Sequence, residues 1–204
     1  MPETPAAVVF DIGRVLFDWD LRYLMAKLVA DPDELDHVLA NVISEEWHFQ
    51  SDRGTPLAEM VRARKAEFPE HAHLIDAYAR RFNETIQHPI EGTHALARRL
   101  HAAGVPLYGL TNFGAEFFAG FRPLEAIFAL FEDIVVSGEE KVAKPDARIY
   151  EISEQRFGHP PAALFFTDDN PANVAAARAR GWQAHLFEGP EGLEDELLRC
   201  GLLR

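Results

Sequence analysis

Five short apolar runs, bounded by polar or turn-forming residues, constrain the fold of this chain more than any other feature. Short runs that are apolar throughout are typical of strands buried on both faces of a parallel sheet. We therefore expect a sheet of five parallel strands. The runs are Ala6–Phe10, Pro106–Leu110, Ile134–Ser137, Ala163–Phe166 and Gln183–Phe187.

Segments with a helical pattern of apolar residues lie between these runs, and residues that commonly end helices follow them. Leu96 and Leu100 share one helical face, and Gly104 follows the end of that segment. A glycine just past a helix is a common terminator. Strands that alternate with such helices predict an α/β fold built on a doubly wound, Rossmann-like parallel sheet. The predicted helices of this part are Thr93–Ala103, Pro145–Phe157, Asn173–Arg180 and Glu191–Cys200.

A long interval separates the first two strands. Its pattern is helical throughout, and it contains no convincing strand. We therefore expect residues 16–87 to form a small helical cap inserted after the first strand, and residues 1–15 and 88–204 to form the α/β core. The alternative is that these helices simply cover one face of the sheet. The predicted helices of the insertion are Leu21–Val29, Pro32–Val42, Leu57–Phe68 and His71–Thr85.

Composition excludes several kinds of partner and site. The 204 residues carry a formal net charge of −13, which disfavours binding to nucleic acid or to an anionic membrane. The single cysteine, Cys200, excludes an intramolecular disulfide. No apolar stretch reaches the roughly 20 residues of a membrane span, and Met1–Pro5 lacks the basic region of a signal peptide. We expect a cytoplasmic protein that is a monomer or a homodimer.

Polar residues follow four of the predicted strands, at the edge where open parallel sheets bind ligands. Because the carboxyl ends of parallel strands share one edge, these side chains should lie close together. They are Asp11 and Gly13 after the first strand, Thr111 and Asn112 after the second, Lys144 after the third, and Asp168 and Asp169 after the fourth.

This set of residues suits phosphoryl transfer. Carboxylates are the hard oxygen ligands that Mg²⁺ prefers, and an ionised carboxylate beside such an ion can attack phosphorus. A lysine and a hydroxyl group offset and hold the phosphoryl oxygens. Each residue alone is more often a turn former, a helix cap or a solvated side chain. Their joint occurrence at successive strand ends predicts a phosphoryl-transfer site.

Four segments, in order, resemble the four motifs of the haloacid dehalogenase (HAD) superfamily. Motif I is similar to VVFDIGRVLFDWD at Val8–Asp20, and motif II to GLTN at Gly109–Asn112. Motif III is similar to KVAKPDARIY at Lys141–Tyr150, and motif IV to FFTDDNPANVAAARARG at Phe165–Gly181. The resemblance covers nearly the whole chain and implies that the helical insertion is a C1-type cap. Within the superfamily, the patterns are most similar to bacterial sugar phosphatases of the glucose-1-phosphate type.

The resemblance implies a role for each site residue. Asp11 would be the nucleophile that becomes an aspartyl-phosphate, and Lys144 would steady both Asp11 and the phosphoryl group. Thr111 and Asn112 would bind the phosphoryl group, whereas Lys141 would be a surface residue. The residues that would hold Mg²⁺ are Asp11, Gly13 through its backbone carbonyl, Asp168 and Asp169, with Asn173 supporting their loop.

Gly13 departs from the usual phosphatase pattern. Motif I of these phosphatases is Asp-x-Asp, and the second Asp is the general acid and base. A general acid contributes about 10²–10⁴-fold to such reactions. The glucose-1-phosphate phosphatases carry a similar Asp-x-Gly, as the resemblance suggests. Asp18 or His48 would be the substitute acids, although residues of these types are more often solvated or capping residues.

We therefore expect a Mg²⁺-dependent phosphatase that hydrolyses a small phosphomonoester, such as glucose 1-phosphate. Three alternatives remain open. The first is a 2-haloacid dehalogenase, which the adjacent acids Asp168 and Asp169 disfavour, because a carboxylate pair without a metal is unfavourable. The second is a phosphonate hydrolase that uses Lys27 or Lys65 of the cap. The third is a binding or regulatory protein that has kept the fold but lost turnover.

One segment of the insertion is a candidate for substrate recognition. It is polar and aromatic, and it would contact a sugar if it faced the site. The alternative for its aromatic residues, Trp47 and Phe49, is ordinary packing inside the cap. The segment comprises Trp47, His48, Phe49, Arg53 and Gly54.

Overall fold

A parallel five-stranded sheet forms the centre of the protein, whose computed structural model describes residues 4–204. The strand order is β5-β4-β1-β6-β7, and every neighbouring pair is parallel. The predicted α/β fold is therefore confirmed. In chain order the strands are β1 (Ala7–Phe10), β2 (Phe17–Trp19), β3 (Ile86–Pro89), β4 (Leu107–Thr111), β5 (Asp133–Val136), β6 (Leu164–Asp168) and β7 (Gln183–Leu186).

Helices surround the sheet and fill the interval between β2 and β3. A π-helical turn, Val38–Val42, continues one of them. No helix within residues 4–204 is long and apolar enough to cross a lipid bilayer. The helices are α1 (Leu21–Met25), α2 (Pro32–His37), α3 (Glu45–Asp52), α4 (Leu57–Glu67), α5 (Ala72–Arg81), α6 (Glu91–Ala102), α7 (Ala115–Phe121), α8 (Ser137–Glu140), α9 (Ala147–Phe157), α10 (Pro171–Ala179) and α11 (Pro190–Arg199).

Both faces of the sheet are covered, as the apolar strand sequences require. Successive residues of a strand point to opposite faces. Accordingly, Val8 and Phe10 of β1 belong to one apolar cluster, which includes α6, α7 and α11, and Ala7 and Val9 belong to the other. The second cluster packs against α9 and α10. The central strand is fully buried, so the residue that follows it, Asp11, is held in a rigid frame.

Our prediction that the insertion contains no strand is wrong. Strands β2 and β3 pair antiparallel, with Phe17 opposite Pro89 and Trp19 opposite Ile86. The strands have only three and four residues and carry polar side chains and a proline, so neither shows a strand pattern. The ribbon brings the two ends of the helical insertion together beside the carboxyl end of β1. The division of the chain into core and cap domains stays a prediction.

Helix α9 begins later than we predicted. Asp146 caps its first turn by accepting a hydrogen bond from the backbone N–H of Arg148. Pro145 lies outside the helix and follows a cis peptide bond with Lys144. The proline therefore belongs to the loop that carries Lys144.

Sequence patterns also missed α3 and α7. Helix α3 has weak contrast between apolar and polar faces, although Ser44 accepts a hydrogen bond from the backbone of Trp47 and acidic residues fill its first turn. Helix α7 has only seven residues, so the apolar face formed by Phe117, Phe118 and Phe121 extends over little more than one turn. Neither sequence therefore shows a sustained helical pattern, and tertiary packing decides their structure.

Aromatic side chains join the helical insertion to the core. Phe82, which follows α5, stacks on Phe117 of α7 with ring centroids 3.9 Å apart. Tyr78 of α5 meets the edge of the same ring at 5.3 Å, and Phe82 also contacts Phe113 at 5.7 Å. Stacked and edge-to-face pairs of this kind stabilise an interface beyond the area they bury. The insertion is thus fixed over the carboxyl edge of the sheet.

Candidate active site

Asp11, Lys144 and Asp168 form a buried charged group at the carboxyl ends of β1 and β6. The ammonium group of Lys144 lies 3.0 Å from Asp11 Oδ1 and 2.6 Å from Asp168 Oδ2. It also donates to the carbonyl of Leu110 at 2.8 Å. The Lys144 side chain is fully buried, and its neighbouring carboxylates raise its pKa despite that burial. Lys144 is therefore a fixed positive charge between two carboxylates.

Asp168 is held by donors on several sides. Besides Lys144, the side-chain amide of Asn173 donates to both of its oxygens, at 3.0 and 3.1 Å. The backbone N–H of Asn170 donates to Oδ1 at 2.8 Å. This is the arrangement expected if Asn173 supports the loop. The carboxylate of Asp168 is thus fixed in orientation before any ligand arrives.

Asp11, Asp168 and Asp169 form a cluster suited to a divalent cation. One carboxylate oxygen from each lies within 4.8 Å of the others. Burial raises the pKa of Asp11 and of Asp169, and the nearby acids raise both further. A bound cation would reverse this effect, because it favours the ionised form of each carboxylate.

A second observation supports the fit of a cation beside this cluster. Asn173 Oδ1 is buried and finds no hydrogen-bond donor among the described residues. An unpartnered buried acceptor costs free energy unless water or an ion satisfies it. Hard oxygen donors of this kind match Mg²⁺. The residues present therefore fit the predicted ion.

The structure places Thr111 and Asn112 beside Lys144, with different environments. Thr111 is buried at the end of β4. Asn112 accepts from the backbone N–H of Lys144 at 2.8 Å and donates to its carbonyl at 3.0 Å. The side chain of Asn112 therefore holds the loop that presents Lys144. Binding of a phosphoryl group by Thr111 and Asn112 stays a prediction.

The loop after β1 connects the site to the insertion. Gly13 lines the cavity described below, and a Cβ atom added to it would meet no atom within 4 Å. The next residue, Arg14, pairs with Glu45 of α3 and lies over the Trp19 ring, 4.8 Å from its centroid. Coordination of Mg²⁺ by the Gly13 carbonyl stays a prediction. The ion pair ties the loop after β1 to α3.

A cavity of about 200 Å³ opens above Asp11 and Asp169. Helix α3 contributes one face to its wall, through Glu45, His48, Phe49 and Asp52. These positions follow the spacing i, i+3, i+4 and i+7, which places side chains on one side of a helix. Most of the remaining wall is apolar and includes Phe17, Trp19, Phe82, Ile86, Phe113 and Phe121.

His48 and Asp52 of this wall form a buried polar group with Tyr78, which lies behind them. His48 Nδ1 lies 2.6 Å from the Tyr78 hydroxyl, and Nε2 lies 3.6 Å from Asp52 Oδ1. Burial lowers the pKa of His48 to about 4 and raises the pKa of Asp52 to about 7. Burial also raises the pKa of Tyr78. Near neutral pH the histidine is therefore uncharged, and Asp52 is poised between its two protonation states.

Our prediction for the recognition segment is partly wrong. His48 and Phe49 line the cavity, but Trp47 packs against Tyr78 at 4.9 Å inside the insertion. Arg53 is exposed, and Gly54 lies against the side chain of Lys141. The helical geometry of α3 turns Trp47 away from the cavity. Arg53 lies over the Phe49 ring, 5.4 Å from its centroid, but does not line the cavity. Lys141 is exposed, as predicted.

Sequence reasoning missed Asp52 and most of the apolar wall. The signal for Asp52 was present: Ser44 is a capping residue, two acids follow it, and a helix from there places Asp52 four residues after His48 on one face. No comparable signal existed for the wall, because its aromatic residues come from segments far apart in the chain. Asp18, a predicted substitute acid, accepts from the Tyr23 hydroxyl at 2.7 Å and does not line the cavity.

Comparison with known proteins identifies the family. Residues 6–181 match the haloacid dehalogenase-like hydrolases. The chain belongs to this family. It is therefore a hydrolase of the HAD superfamily, as its four motifs predicted. Its assignment to the C1-capped branch and its closeness to glucose-1-phosphate phosphatases stay predictions.

Individual relatives include both phosphatases and dehalogenases. The chain is 29% identical to the sesquiterpene phosphatase astK of Aspergillus oryzae, over 89% of each protein. It is 28% identical to an (S)-2-haloacid dehalogenase of Pseudomonas putida, over 62% of this chain and 53% of that one. A HAD family enzyme of Bacteroides thetaiotaomicron, solved with magnesium and inorganic phosphate, superposes with a TM-score of 0.69 at 20% identity, covering 91% of this chain and 95% of that one. That likeness supports the fold.

Proposed function

We propose that the protein is a Mg²⁺-dependent phosphatase that hydrolyses a small phosphomonoester through an aspartyl-phosphate on Asp11. The main support for this proposal is the charged group at the floor of the cavity. There Asp11 pairs with buried Lys144 and lies close to two further carboxylates, those of Asp168 and Asp169. Mg²⁺, when bound, supplies positive charge that keeps Asp11 ionised and offsets the charge of the phosphoryl oxygens. Asp11, Asp168 and Asp169 are the residues that would hold it, with the Gly13 carbonyl.

The chain's own residues position the attack. Asp11 Oδ1 accepts from the backbone N–H of Ile12 at 2.7 Å and lies 3.0 Å from Lys144, which orients the carboxylate. We assign the attack on phosphorus to Oδ2, the oxygen that these contacts leave available. Lys144, held by Asn112 and Asp168, stabilises the charge that develops on the phosphoryl group. Phosphoryl transfer requires mainly such positioning and charge stabilisation.

The cavity wall suits a substrate with an apolar part as well as the sugar phosphate suggested by the sequence. Glucose 1-phosphate carries a ring of hydroxyl groups, each of which needs a hydrogen-bond partner when buried, and polar residues such as Glu45 and Asn112 line part of the wall. Aromatic and aliphatic side chains, among them Phe17, Trp19 and Phe82, line much of the rest. The relative from Aspergillus oryzae is a sesquiterpene phosphatase. We therefore infer that a phosphorylated hydrocarbon is a second candidate substrate beside glucose 1-phosphate.

Dehalogenation is the competing function within the family, and a related dehalogenase matches part of the chain. Asp168 and Asp169 favour the phosphatase. Adjacent carboxylates beside a buried nucleophilic carboxylate repel one another unless a cation is present, and the dehalogenation of a 2-haloacid offers no reason for three carboxylates at one point.

A phosphate-release assay tests the proposal. We expect the purified protein to release inorganic phosphate in Mg²⁺, and not in excess chelator, from a panel that contains glucose 1-phosphate, farnesyl monophosphate and p-nitrophenyl phosphate. Asp11→Asn should abolish release from all three. Release that survives chelation or the Asp11 variant would refute the mechanism, and chloride release from 2-chloropropionate without metal would favour the dehalogenase.

The same panel decides the substrate class. Phe49 lies on the cavity face of α3, whereas Gln50 of the same helix is exposed and does not line the cavity. We expect Phe49→Ser to raise KM at least about 10-fold for farnesyl monophosphate, and Gln50→Ser to leave it unchanged. A higher kcat/KM for glucose 1-phosphate than for farnesyl monophosphate would restore the sugar phosphate as the better candidate.

A further inference from the structure

The position of the usual general acid is open space in this protein. Gly13 occupies it, and an added Cβ would meet nothing within 4 Å. Gly13 also lines the substrate cavity. A leaving-group oxygen bound there therefore has room to meet a proton donor that comes from another part of the cavity wall.

Few titratable side chains in that wall are suitable donors. Asp11 and Asp169 belong to the nucleophile and the cation site. Glu45 is more than half exposed, and its carboxylate is committed to the ion pair with Arg14. The His48 ring is uncharged near neutral pH, because burial lowers its pKa to about 4. Asp52 is the remaining acid in the wall.

The surroundings of Asp52 suit a proton donor and acceptor. The residue is only 5% exposed. From its own helix, His48 Nε2 lies 3.6 Å from Oδ1 and the Ser51 hydroxyl lies at 3.4 Å. From neighbouring elements, the backbone N–H of Gly114 faces its carboxyl, and the charge of Lys144 and the hydroxyl of Tyr78 are near enough to interact.

These groups leave the two protonation states of Asp52 close in free energy at neutral pH. Burial raises its pKa to about 7, while Ser51, Gly114 and Lys144 oppose a larger rise. A general acid works best when its pKa lies near the working pH. The pKa of Asp52 therefore agrees with its placement in the cavity wall as a proton donor.

We propose that Asp52 is the general acid and base of the reaction, acting from helix α3 in place of the missing aspartate at position 13. The proposal rests on the phosphatase function proposed above. As Asp11 forms its bond to phosphorus and the bond to the leaving oxygen breaks, protonated Asp52 gives its proton to that oxygen, releasing an alcohol. The Asp52 carboxylate then takes a proton from the water that attacks the aspartyl-phosphate. The bond between Asp11 and phosphorus breaks, inorganic phosphate leaves, and Asp52 is protonated again.

A leaving-group comparison tests this role. A general acid matters most when the leaving group is a poor one, such as an alkoxide, and least for p-nitrophenolate. We expect Asp52→Asn to lower kcat/KM, which reports the step in which the leaving group departs, about 100-fold or more on an alkyl phosphate such as farnesyl monophosphate and less than about 10-fold on p-nitrophenyl phosphate. A merely structural role would lower both equally. The control is Asp76→Asn in α5, an acid that pairs with Lys65 and does not line the cavity.

The outcomes separate this inference from the proposed function. If the wild-type protein releases no phosphate from any substrate, the proposed phosphatase function is wrong, and so is the assignment of Asp52 as its general acid and base. If the wild type is active and Asp52→Asn has equal or no effect on the two substrates, the Asp52 assignment alone is overturned. It is equally overturned if Asp18→Asn, rather than Asp52→Asn, produces the leaving-group dependence.

A measurement on the unaltered protein covers the case in which the variant does not fold. If protonated Asp52 gives the proton, the ratio of kcat/KM on the alkyl phosphate to kcat/KM on p-nitrophenyl phosphate falls as the pH rises above about 7. Parallel pH profiles for the two substrates would overturn the assignment.

Discussion

The raised pKa of Asp52 predicts an unusual dependence of stability on pH, which needs no substrate to measure. The unfolded chain releases this proton near pH 3.8, whereas the folded protein keeps it until about pH 7. Between these values the folded state holds one more proton than the unfolded state. The free energy of unfolding therefore falls as the pH rises through this window. The stabilisation that Asp52 contributes is fully present only below the pKa that Asp52 has in the unfolded chain.

The size of the effect follows from the same values. Each pH unit inside the window changes the free energy of unfolding by about 1.4 kcal/mol. From pH 5.5 to pH 7 the wild-type protein should therefore lose about 2 kcal/mol that Asp52→Asn does not lose. Because the carboxyl is only 7% exposed, solvent screening reduces this figure little. His48 titrates with the opposite sign, since its pKa is lowered, but it is present in both proteins and cancels in the comparison.

Urea unfolding followed by tryptophan fluorescence measures this difference. We would compare the wild type and Asp52→Asn at several pH values between 5.5 and 8, in chelator and at constant ionic strength. The variant should gain stability relative to the wild type as the pH rises. Asp76→Asn is the control, because the pKa of this exposed carboxyl is lowered by Lys65 and it stays ionised throughout. The reasoning would be refuted if the difference in the free energy of unfolding between the wild type and Asp52→Asn were constant with pH. It would also be refuted if that difference changed in the opposite direction.

Three further predictions concern the site. Adding Gly13→Asp to the Asp52→Asn variant should restore at least about 10-fold of the lost kcat/KM on farnesyl monophosphate, since the new side chain has room; no recovery would count against a missing acid as the cause. Lys144→Met should lower the free energy of unfolding by about 3 kcal/mol or more in chelator, because it leaves Asp11 and Asp168 buried without their partner; a loss below about 1 kcal/mol in urea unfolding would contradict this. Millimolar Mg²⁺ should raise the Tm of the wild type by several degrees and that of Asp169→Asn by less, because the ion binds only the folded state; equal shifts in differential scanning fluorimetry would remove Asp169 from the cation site.

The strand ends could be predicted from sequence because the features that define them are local. The apolar runs identify β1, β4, β5, β6 and β7, and the residues after them fall on one edge in any parallel sheet. The contacts between Lys144 and its two carboxylates follow from that geometry. A short-range pattern therefore predicted both the sheet and the cluster on the cavity floor.

The details that sequence patterns missed depend on partners distant in the chain. Strands β2 and β3 are separated by the 66 residues between Trp19 and Ile86, and they are defined only by pairing with each other. Asn112 has its amide committed to the backbone of Lys144, which the motif alone does not reveal. The orientation of α3 is set by packing of Trp47 and Tyr78 inside the insertion. That packing turns Asp52 toward the cavity.

The sequence by itself thus determined the α/β architecture, the family and the position of Asp11 among charged partners, because alternating patterns and strand-end motifs are properties of neighbouring residues. Only the tertiary structure decided which side chains face Asp11 across the cavity. The apolar part of the cavity wall and the burial that raises the pKa of Asp52 arise from side chains brought together from separate segments. Burial and charge proximity are properties of the folded environment, and they are set when the insertion packs over the sheet.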